Sequence, residues 1–64
     1  FAAYMMAIEI DPSHLGAHEY LGELYLMRDQ KDRALLMLEK IEQLAGSNNE
    51  EYKDLKKAID EYQS

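Results

Sequence analysis

The sequence predicts an all-α fold of four short helices, and three observations carry that expectation. The apolar residues are nine Leu, seven Ala, five Tyr, four Met, four Ile and one Phe, with no Val, Thr, Trp or Cys, a vocabulary that favours helices over sheets. Apolar side chains recur at helical spacing in segments of about a dozen residues, and turn or breaker residues separate those segments. At 64 residues the chain has room for one thin core and no separate catalytic domain.

The first helix covers Phe1 to Ile10, apolar at nearly every position, and stops at Asp11-Pro12 because proline disfavours helical geometry in the residue before it. Ser13 is the expected N-cap of the second helix, whose apolar positions Leu15, Ala17, Leu21, Leu24 and Tyr25 run to about Met27. Arg28-Asp29-Gln30 reads as a tight polar turn. Ala34, Leu35, Leu38, Ile41, Leu44 and Ala45 mark a third helix ended by Gly46. Ser47-Asn48-Asn49-Glu50 has the form of a capping box opening a fourth helix, with Tyr52, Leu55, Ala58, Ile59 and Tyr62 on one face.

A shift of 34 residues lays helix one on helix three and helix two on helix four. Phe1 falls on Leu35, Tyr4 on Leu38, Ala7 on Ile41, Ile10 on Leu44, Ser13 on Ser47, Leu21 on Leu55, Leu24 on Ala58 and Tyr25 on Ile59. Two helices per period describe a solenoid whose units bury their apolar faces only against neighbours.

With Leu21-Gly22 and Tyr25 in the first helix of the pair, Ala34 in the second, and Tyr4, Ala7 and Asp11-Pro12 closing the preceding unit, the chain resembles the tetratricopeptide repeat family over essentially its whole length. His18 takes the usual tryptophan place, Leu38 and Ile41 replace the usual aromatic and alanine, and Gly46 replaces the proline. Gly-Ala-His-Glu-Tyr-Leu-Gly-Glu-Leu-Tyr in one helix and Glu-Glu-Tyr opening the last resemble the C-terminal repeat of short bacterial members. The resemblance implies antiparallel helix-turn-helix pairs stacked in a right-handed superhelix, with 1–12 the second helix of an incomplete repeat, 13–46 one complete repeat and 47–64 a C-terminal capping helix. Small residues have a packing task here, since Gly22 and Ala34 are expected to let two antiparallel helices approach closely. The cap is expected from Leu15, Gly22, Leu26 and Met27 becoming Asn49, Lys56, Asp60 and Glu61 one period later, each change adding polarity. Phe1 begins partway through a repeat, so the chain is expected to be a fragment or to cover that face by self-association.

The resemblance further implies protein binding in a concave groove lined by the first helix of each pair. That places Gly16, Glu19, Glu23, Leu26 and Met27 from helix two, and Glu50, Lys53, Lys57 and Asp60 from helix four, in a peptide-binding groove. Glu19 and Glu23 do not suit the clamp that grips a C-terminal carboxylate. Two readings of these charges stand. Lys53 and Lys57, one period on, form inter-repeat ion pairs with Glu19 and Glu23, or the glutamates meet basic groups of a peptide whose apolar group covers Leu26 and Met27. A second surface is Phe1, Met5 and Met6, where the equivalents of the methionines are the charged Glu39 and Lys40. Unbranched thioethers suit an adaptable partner or homo-oligomer contact, and they equally suit a semi-exposed position of no further role.

Other chemistry has little footing. Thirteen acidic against seven basic residues give a net charge of −6, the wrong sign for a nucleic acid partner, and no apolar run is long enough for a membrane span. The absence of Cys removes disulfides and thiolate sites. His14 and His18 stand four apart without a third ligand, so no metal or cofactor is expected. No phosphate loop, nucleophile elbow or singled-out acid and base appears, so neither is catalysis.

Overall fold

The computed structural model describes residues 2–62, the side chain of Tyr4 excepted; Phe1 and the Tyr4 side chain, to which a contact and a packing role are assigned above, lie outside the described residues. Four helices follow one another, α1 (Ala2–Ile10), α2 (Leu15–Met27), α3 (Lys31–Ala45) and α4 (Glu50–Glu61). α2 is central and packs on each of the other three. The molecule measures 32 × 27 × 15 Å, a flat shape with one thin core. That core holds Leu21, Tyr25 and Leu26 from α2, Ala34 and Ile41 from α3, and Leu55 and Ile59 from α4, with Ile8, Leu15, Met37, Leu38, Tyr52, Ala58 and Tyr62 packed against it. The helical periodicity in the sequence therefore marks the packed faces of α2 and α4, whereas on α3 Ala34, Leu38 and Ile41 pack inward and Leu35, Leu44 and Ala45 are exposed.

Both helix starts differ from expectation, and for the same reason. Ser13 does not cap α2, because its hydroxyl donates to Asp11 Oδ1 at 2.7 Å and its N–H to the same oxygen at 3.2 Å, closing an Asx-type turn around Pro12. The cap passes to His14, whose Nδ1 accepts the N–H of Ala17 at 3.0 Å; this requires the imidazole to carry its hydrogen on Nε2. The capping box at Ser47 and Glu50 is likewise not formed. Asn49 caps α4, its Oδ1 accepting the N–H of Tyr52 at 2.7 Å while its Nδ2 donates to the Gly46 carbonyl at 2.9 Å. One amide thus ties the end of α3 to the start of α4. A cap needs an oxygen or nitrogen acceptor three residues before the N–H it receives, and each loop offers two such positions.

The helix ends follow from backbone geometry. In the α2–α3 turn the Gln30 N–H reaches the Tyr25 carbonyl (2.8 Å) and the Asp29 N–H reaches that of Leu26 (3.0 Å), the paired pattern of a Schellman motif. Asp29 sits in the left-handed region at φ 63°, which a short polar side chain tolerates better than a branched one. Arg33 of α3 lies 5.9 Å from the centre of the Tyr25 ring and covers its edge of the core. α3 ends at Gly46 with φ 81° and ψ −168°, a conformation essentially reserved for glycine.

One close approach adds to the expected packing. Gly22 admits α4: a Cβ built on Gly22 would lie 2.7 and 2.8 Å from the two methyl carbons of Leu55 and 3.3 Å from its Cγ. Ala34 is itself fully buried in α3, whose largest interface is with α2. Lys56, the equivalent of Gly22 one period on, is exposed and pairs with Asp60 at 3.3 Å.

Two substitutions separate backbone strain from steric conflict. Gly46→Ala meets open space, so its expected loss of about 1–3 kcal/mol comes from conformation alone. Gly22→Ala gains helix propensity yet drives a methyl group into a fully buried Leu55, and a net loss of about 1–2 kcal/mol is expected. Denaturant unfolding of both variants checks this, and the Gly22→Ala loss should shrink when Leu55 is also shortened to Ala.

Candidate functional site

The site is the surface shared by α2 and α4. Gly22 faces Leu55, Glu19 interacts with Glu51 and Asp54, and a cleft is lined by Glu23, Leu26 and Met27 on one side and Ala58 and Tyr62 on the other. Residue numbers rise together across this seam, so α2 and α4 run parallel, in keeping with their separation by one helix and two reversals of direction. Short turns between α2, α3 and α4 leave no other course for the chain.

The cleft lies between the C-terminal halves of the two helices, a shallow hollow of about 360 Å³ open to solvent. Leu26 is its floor and belongs to the core, while Met27 is 81 % exposed and stands as a movable wall. The wall on α4 is aromatic and methyl, Tyr62 and Ala58. The glutamate end is different in character. The Glu19 carboxyl is pushed up to about 7, first by desolvation, then by a hydrogen bond shared with the Glu23 carboxyl and by the charges of Glu23, Asp54 and Glu51. Every one of these influences opposes ionisation, and none comes from a cation.

The ion pairs expected between Glu19 and Lys53 and between Glu23 and Lys57 are therefore not formed; Lys53 and Lys57 are exposed on α4, and carboxylates face Glu19 instead. Translation by one period carries a residue to its equivalent on the next repeat, pointing in the same direction. Equivalent residues consequently lie side by side, whereas contact is made between opposite flanks of successive helices. Glu51, Asp54, Ala58 and Tyr62 occupy the flank of α4 that contains Leu55, four before, one before, three after and seven after it; sequence reasoning missed all four as site residues, having placed Ala58 and Tyr62 only on the apolar face of the helix. The position of Leu55 on that helix face was the signal that pointed to them.

Gly16, expected in the groove, lines a second cavity of about 370 Å³ between α1 and α2, with Ala3, Ala7, His14, Ala17 and Tyr20. Met5 and Met6 are 48 % and 58 % exposed on α1, as their out-of-pattern chemistry suggested, and Ile10 is exposed beside them. Asp60 is engaged with Lys56. The two histidines have structural work: His14 caps α2 through Nδ1, and the buried His18 donates from Nδ1 to the His14 carbonyl at 2.8 Å. Among the described residues no group of three or more His, Cys, Asp or Glu side chains is arranged to hold a metal ion, and no helix is long and apolar enough to cross a membrane.

No family model, curated protein or solved structure matches the chain, so the surface between α2 and α4 is read from its own chemistry.

The acidic seam makes stability depend on pH in a direction opposite to that of a salt-bridged carboxylate. Between the ordinary carboxyl value near 4.5 and about 7, the native state holds a proton on Glu19 that the unfolded chain has released, so stability falls as pH rises through that window and stays lowered above it. Solvent screening on this partly exposed face limits the effect to ~1 kcal/mol. Glu19→Gln should flatten the decline between pH 5 and 8 in urea unfolding and leave the variant the more stable protein at pH 8.

Proposed function

We propose that the chain is a protein-interaction module of the tetratricopeptide kind, taking a peptide or partner segment in the groove between α2 and α4. One observation carries the reading: an open apolar cleft, with a core leucine as floor and an exposed methionine as wall, bordered by Glu23 and continued by Glu19, whose carboxyl is pushed up by burial and by the charges of Glu23, Asp54 and Glu51. A monomeric helical domain has no folding reason to keep repelling carboxylates beside an unfilled apolar cleft. The parallel course of α2 and α4, and the contact of Gly22 with the helix one period away, are also what stacked helix pairs of that family require.

A second reading has its own support. Met5, Met6 and Ile10 of α1 are each exposed, and α1 shares a small-residue cavity with α2, so α1 suits self-assembly.

The two readings separate in solution. A binding module stays the same size across a hundredfold range of concentration, and peptides selected from an unbiased library shift backbone resonances of Glu23, Met27 and Ala58; Ala58→Glu abolishes those shifts without unfolding the protein. Selected peptides that shift α1 instead would remove the groove reading. An assembly element sediments faster as concentration rises, and Met5→Glu with Met6→Glu returns it to a monomer.

A further inference from the structure

We propose that the occupant of the α2–α4 cleft is a basic amphipathic segment, with one large apolar side chain between Met27, Ala58 and Tyr62 and a Lys or Arg group at the Glu19 end of the same groove. This rests on the groove reading above and specifies its partner.

The argument starts from the cleft. Its floor and walls are apolar, and its volume of about 360 Å³ accommodates a side chain as large as leucine or phenylalanine. Filling it removes Met27 from water, which is the main apolar gain available on this face. Charge then chooses among apolar partners. At one end of the cleft stands Glu23, and one turn back stands Glu19, faced by Glu51 and Asp54 from α4. An acidic or carboxylate-terminated segment would add a like charge to four carboxylates on a chain of net charge −6. A cation there offsets the carboxylate charges that oppose ionisation of Glu19 and relieves the repulsion that the fold leaves in place.

Spacing limits the segment further. Glu19 and Met27 are eight residues apart on α2, about 12 Å at 1.5 Å per residue. An extended peptide covers that distance in about four residues, so a basic residue followed by an aromatic one four positions on matches the groove. Because the incoming cation competes with a proton, affinity rises with pH through the region in which Glu19 titrates, the facing groups being Glu23 of α2 and Glu51 and Asp54 of α4. Added salt lowers affinity by screening the same contact.

The test uses the intact chain and three fluorescein-labelled peptides of equal length in a Ser/Ala background. One carries an Arg-Lys pair with Phe four residues after it, one replaces the pair by Glu-Glu, and one replaces Phe by Ser. The first should bind, shifting Glu23, Met27 and Ala58, with each of the others at least tenfold weaker by fluorescence anisotropy. Glu19→Gln with Glu23→Gln, which removes repulsion and so preserves the fold, should weaken the basic peptide about tenfold and strengthen the acidic one. Equal or tighter binding of the Glu-Glu peptide in the cleft overturns the basic preference and leaves the groove reading standing. Binding of the first peptide with shifts confined to α1 overturns both, and failure of the first peptide to bind at all overturns this inference while library selection decides the groove.

Discussion

Leu55 places both its methyl groups against the missing side chain of Gly22, and the seating of α4 on α2 depends on that contact. Leu55 has no exposed surface, and Ile59 one turn further is almost as deeply buried. With α4 held at this distance, its flank of Glu51, Asp54, Ala58 and Tyr62 is brought alongside Glu19, Glu23, Leu26 and Met27. The cleft and the acidic seam are therefore two consequences of one close approach. Without it, α4 would retain only its shared edge with α3, and the groove between parallel helices would not be defined.

The surface made in this way keeps an electrostatic cost that folding does not remove. Burial and carboxylates from two helices oppose ionisation of Glu19, while Lys53 and Lys57 of α4 lie exposed. Surface charges can usually move apart, because long side chains on a solvated face have many positions available. Here the backbones are held together by the core beneath, and the carboxyl groups have less freedom to separate. An apolar cleft continuous with such a seam has two kinds of unsatisfied surface next to each other, which is the chemistry of an amphipathic partner.

Much of this architecture is legible in the chain. The four helices, the turn at Arg28 to Gln30, the stop at Gly46 and the apolar face of α4 all follow from helical periodicity and from residues with strong backbone preferences. Caps were less legible, because Ser13 and His14, or Ser47 and Asn49, compete for one task, and the winner depends on where neighbouring polar groups lie. Asp11 removes Ser13 from the competition by accepting from both its hydroxyl and its N–H, and Asn49 wins because its amide also reaches back to Gly46. The contact of Gly22 with α4 was hidden for a related reason. A small residue announces that something comes close without saying which helix it is.

By itself the sequence determined the number of the helices, the stops of the first three, the apolar stripe on each and the 34-residue correspondence between their pairs, because these depend on local backbone preference and on spacing along one chain. Only the tertiary structure decided which flank of α4 meets α2, and hence that Glu19 looks onto Glu51 and Asp54 and not onto Lys53. Repeat symmetry relates residues that point the same way, while contact joins residues that point toward each other, and the rotation of one helix against the next is set by how Leu55 packs into the space above Gly22.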